Sequence, residues 1–92
     1  MMEPTLINAL SNALNDYRKA IDRTSDAQAK EDYLRLAAIT TKVIAAMQNN
    51  DVAQVKLNAL GFSRQVSDSF SVQPPEFKAL AHRIAEVKKQ VV

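Results

Sequence analysis

The stretch YLRLAAITTKVIAAM, residues 33 to 47, decides the fold. It holds fifteen residues with only two charges, Arg35 and Lys42, and these lie seven apart, so they share one stripe of a helix. On a helical wheel Tyr33, Leu36, Val43 and Met47 cover one face, Leu34, Ala38 and Ala45 a second, and Ile39 and Ala46 a third. No Gly or Pro breaks the run. A helix this apolar around its circumference is expected to be buried on most sides. A bundle of helices from one small chain could cover it, and a second chain could cover it more easily. Tyr33, Leu34, Ile39, Val43, Ile44 and Met47 are therefore the candidate partner interface. A copy of the same chain is an economical partner, since closed two-fold dimers are the commonest oligomers.

The composition agrees with helices. The chain has 92 residues, 47% of them hydrophobic and 24% charged, with a net charge of +2. That length is enough for one domain, residues 1–92, with a core that needs no metal or disulfide staple. One Gly is far below the usual share of about 7%. Hairpins and barrels consume Gly, so the scarcity speaks against them. The absence of Cys removes disulfides, thiolate zinc sites and cysteine nucleophiles. MMEPTLINAL shows no basic start and no continuous apolar run, and no stretch of about 18 apolar residues follows, so a cytoplasmic protein is expected.

The spacing predicts an all-α bundle with three longer helices, at about 4–23, 27–48 and 75–91, and two short ones, at about 52–60 and 63–70. In the first, Ile7, Leu10, Leu14, Tyr17 and Ile21 alternate steps of three and four, with Pro4 suited to its first turn. Thr24-Ser25-Asp26 interrupts the register, and Ser25 with Gln28 can form a capping box. One unbroken helix through residue 48 is the alternative. Asn49-Asn50-Asp51 stops the second helix, with Asp51 and Gln54 as another box. In the last, Phe77, Leu80, Ile84, Val87 and Val91 form the stripe, Pro75 opens the helix, and Lys88 and Lys89 sit at the favourable negative end of its dipole.

Between the two short helices, LNALGFSRQV (residues 57–66) carries the single Gly. The direct reading is a C-terminal stop at Gly61 in the left-handed conformation, with Phe62 folded onto the core and Ser63 capping a helix that carries Val66 and Phe70. The segment also resembles the turn of a DNA-binding helix-turn-helix. Leu57 takes the small buried position, Gly61 the turn and Phe62 the apolar residue after it. The resemblance implies a nucleic-acid partner contacted by Arg64 and Gln65. It departs from the pattern at Ser67, where a buried aliphatic is wanted, and Lys56 and Arg64 are balanced by Asp51 and Asp68 rather than set in a basic field. The same corner resembles the Leu-Gly-Phe loop of ubiquitin-associated-type three-helix modules.

Residues with chemical potential are few. His82, the single histidine, falls on a polar strip with Lys78 and Lys89 and can pair with Glu86 one turn on. One imidazole among cations is poor material for a metal site. Asp26, Glu31 and Asp32 cluster at the start of the second helix, where the helix dipole accounts for acids as well as an acid–base pair would. The serines at 63, 67, 69 and 71 suit caps and turns. No Gly-rich phosphate loop and no G-x-S-x-G is present. The sequence thus predicts no catalytic, cofactor-binding or metal-ligating residues. It points to a small non-enzymatic interaction or regulatory protein, such as an adaptor or an accessory protein of a phage or mobile element, which works through apolar helical faces and associates with itself. The alternative is a DNA-binding regulator using the Gly61 turn.

Overall fold

The computed structural model describes residues 3–69 and 72–91, and among these it contains four helices and no strand. They are α1 (Pro4–Arg23), α2 (Ala27–Gln48), α3 (Val52–Asp68) and α4 (Phe77–Gln90). Each helix packs against its neighbour in sequence, and α4 returns to α1, so the four close a ring around one core with a radius of gyration of 12.6 Å. The seam between α2 and α3 is the most extensive and that between α3 and α4 the least.

α1 buries Leu6, Leu10, Ala13, Leu14, Tyr17, Ala20 and Ile21. The stripe is the expected one except at its start, where Leu6 is buried and Ile7 half-buried. α1 and α2 are separate helices. Residues 24–26 leave the helix, Thr24 Oγ1 donates to the Ala20 carbonyl at 2.8 Å, and the cap of α2 is Asp26 rather than Ser25. The Asp26 carboxylate accepts from Ala29 N at 3.0 Å, satisfying one of the four orphan donors of that end. Gln28 instead donates to Asp32 Oδ1 at 3.4 Å. At the other end of α2, Asn50 takes the left-handed conformation, with φ 55°. Asp51 N donates to the Ala46 carbonyl and Asn50 N to that of Met47, which is the Schellman pattern. Asp51 then caps α3 through Gln54 N at 3.2 Å, as expected.

The two short helices are one. α3 runs unbroken through Gly61, whose φ is not positive. The reason lies in the stripe Val55, Ala59, Phe62, Val66, which keeps helical steps of four, three and four across the glycine. A Gly inside a helix costs about 1 kcal/mol relative to Ala. The unbroken helix keeps Phe62, 3% exposed, on one face with Val55 and Ala59 in spite of that cost. Leu57 is not a small buried position but 60% exposed, and Ser63 caps nothing: its Oγ bonds back to the Ala59 carbonyl at 3.4 Å. The expected end of the second short helix at Phe70 lies outside the described residues, as does Ser71. α4 starts two residues later than expected, because the carbonyls of Pro74 and Pro75 accept from Phe77 N and Lys78 N in the turn that precedes it.

α2 also differs from its reading as a helix covered on most sides. Its buried residues, Tyr33, Leu36, Ala37, Thr40, Val43, Ala46 and Met47 with Asp32, form one broad face against α1 and α3. Leu34, Ala38 and Ala45 remain exposed.

Candidate functional site

The six residues of the expected α2 interface divide between core and surface. Tyr33, Val43 and Met47 are 5%, 0% and 1% exposed. They belong to the chain's own core because α1 and α3 cover that face, and this corrects their place in a partner surface. Ile39 and Ile44 are half-buried and Leu34 is 52% exposed.

The DNA-contact pair sits on a straight helix. Arg64 is exposed and Gln65 half-buried near the C-terminal end of α3, with no turn at Gly61 to set one helix against another, so the helix-turn-helix geometry is absent. His82 is on the surface, and its Nε2 lies 3.2 Å from Glu86 Oε1, the expected partner one turn on. The same oxygen accepts from Arg83 at 2.7 Å.

The acidic cluster is dispersed by its bonds. Asp26 caps α2, Glu31 pairs with Arg35 at 2.7 Å, and the buried Asp32 accepts from Gln28 and from Ser69 Oγ at 3.3 Å. Among the described residues no three His, Asp or Glu side chains gather as a metal site would need. Tyr17 and Tyr33 meet edge to face, with ring centroids 5.9 Å apart. Both hydroxyls hold the loop before α4. Tyr17 donates to Gln73 Oε1 at 3.0 Å, and Tyr33 donates to the Val72 carbonyl. Burial pushes the Tyr17 phenol well above its ordinary range, helped by the nearby Tyr33 and Asp32, and pushes that of Tyr33 up as well, helped by Asp26 and Asp32. The two hydroxyls thus tie α1 and α2 to that loop.

The surface with an unfilled apolar shape lies elsewhere, along the thin seam between α3 and α4. At its loop end Phe62 and Phe77 stack with planes 6° apart and centroids at 6.3 Å. Beside them Val66, Ala81, Ile84 and Ala85 floor an open hollow of about 330 Å³ that ends at Lys88. A second hollow of about 300 Å³ continues from Lys88 toward the end of α4, between Lys56, Leu60 and Val91. Lys88 is common to both, and its ammonium donates to Ser63 Oγ across the seam.

Compared with known proteins, the chain matches no family model, no curated protein and no solved structure. The site is therefore read from its own chemistry. A third hollow, of about 430 Å³ at the corner of α2 and α3, is larger, but Lys42, Asn49, Asp51, Gln54 and Asn58 make it polar, and Asp51 is already committed to its cap.

Reading residues 52–60 and 63–70 as two helices hid the groove. Once α3 is continuous, Leu60 falls off the 55–59–62–66 stripe and lines the groove. An apolar side chain beside the buried stripe of a helix is the signal that marks this face.

Proposed function

We propose that this protein is a non-enzymatic interaction module whose working surface is the α3/α4 groove. What supports the reading is one observation: an apolar floor of Phe62, Val66, Phe77, Ala81 and Ile84, open along its length, with Leu60 beside it. Apolar hollows of this form take the anchors of an amphipathic helix, spaced i, i+3, i+4 and i+7.

The test is a titration of isotope-labelled protein with an uncharged amphipathic helical peptide, Leu on one face and Gln on the other, followed by amide chemical shifts. Shifts confined to residues around Phe62, Val66, Ala81 and Ala85, and lost in Ala85→Arg, are expected. A folded protein whose spectrum does not change at millimolar peptide would refute the reading.

Self-association through the outer side of α2 is a second reading, favoured by exposed Leu34, Ala38 and Ala45 flanked by half-buried Ile39 and Ile44. Its measurement is molar mass by light scattering over a hundredfold range of concentration. A dimer that Leu34→Lys dissociates supports it, and a monomer throughout ends it.

A further inference from the structure

We infer that the groove's occupant is an acidic amphipathic helix of another protein, seated with carboxylates against Lys56 and Lys88. The inference rests on the groove being a docking surface, and adds the partner's chemistry and the end at which its charge lies.

Length and shape come first. The 14 residues of α4 rise about 21 Å, so the seam accommodates roughly four turns of a partner helix. The hollows are open along the surface, whereas small ligands bury about 70–90% of their area in a pocket. A rod that keeps its outer side in water fits an open trough.

Charge then selects the rod. Both cations that line the groove belong to the half formed by the start of α3 and the end of α4, and among the described residues no carboxylate lines either hollow. Lys56 makes no ion pair among the described residues. Lys88 donates one hydrogen to Ser63, and an ammonium has two more to offer. Lys89 stands in the same last turn but lines neither hollow. The C-terminal dipole of α4 opposes the two groove lysines with about half a negative charge, too little to cancel them.

A second copy is a poorer fit. The outer strip of α2 that would enter the groove has one carboxylate beside it, Glu31, already paired with Arg35, and Lys42 on the same side would meet the groove lysines with like charge.

The test uses the host peptide above in three forms, with Glu, Gln or Lys on the flank that meets the lysines. The Glu form is expected to bind ~5-fold tighter than the Gln form at low ionic strength, as two exposed ion pairs would give, and the Lys form weaker than both. The preference is expected to fade at about 0.5 M salt and in the double variant Lys56→Gln with Lys88→Gln. Equal affinities for the three forms overturn the inference and leave the docking surface standing. No binding of any form removes both. Saturation of the groove by laurate at lower concentration than by any peptide, or by the protein's own association, assigns a different occupant and overturns the inference.

Discussion

Gly61 sits in mid-helix with nothing within 4 Å of where a Cβ would stand. Gly→Ala at such a position removes freedom from the unfolded chain and strains nothing in the folded one. Gly61→Ala is therefore expected to stabilise the protein by about 0.5–1 kcal/mol, read as a higher urea midpoint with an unchanged slope. Had Gly61 been the left-handed end of a short helix, the same change would lower the midpoint, so a single measurement separates the two conformations. The left-handed residue is instead Asn50. Asn tolerates that conformation because its short polar side chain can bond locally. Sequence alone marked Asn49-Asn50-Asp51 as a stop, and it is one. At Gly61 it misled, because a glycine signals what the backbone is allowed to do, and the apolar stripe across it decides what the backbone does.

Elements are tied to one another at the loop before α4, where sequence has least to say. Arg23, at the end of α1, donates to Glu76 Oε2 at 2.7 Å, and Tyr17 and Tyr33 reach Gln73 and Val72 of the same loop. These partners lie 39 to 56 residues apart in sequence, beyond the reach of any local pattern. The boundaries of α1 and α2, by contrast, follow from the apolar period and its interruption at residues 24–26 and were legible, although the cap of α2 is Asp26 rather than Ser25. The Arg23 guanidinium, with a backbone hydrogen bond, holds the Glu76 carboxyl below its usual range. A depressed pKa means that the folded state binds this proton less readily than the unfolded one. The ion pair therefore contributes stability that is fully present above the unfolded value of about 4.3 and is lost as pH falls through the folded value. Wild type is expected to exceed Glu76→Gln in denaturant midpoint at pH 7, with the difference closing as pH falls below 4 and shrinking at high salt. A difference that persists at pH 2 would locate the effect of Glu76 in packing rather than in its charge.

At the scale of the whole molecule, α2 distributes the energy. One face of it meets α1 and α3, and the other meets water. Sequence could not divide the two, because Leu34 and Leu36 are the same residue type two positions apart and only the ring of four helices distinguishes them. Leu36 is 0% exposed and Leu34 52%. Truncating a leucine in a packed core costs its transfer energy plus that of the cavity left behind, about 2–5 kcal/mol. At a surface site away from caps and special backbone the cost stays within about 0.5 kcal/mol. Leu36→Ala is thus expected to lower the unfolding free energy by at least four times as much as Leu34→Ala in urea melts. Comparable losses at the two sites would mean that Leu34 is covered in the folded state. α2 would then be buried on both sides by a second chain, and the four-helix ring would be half of a larger core. A large loss at Leu36 with near-neutrality at Leu34 leaves the ring self-sufficient. The unfilled α3/α4 seam is then the side on which this small core has apolar shape to spare for a partner.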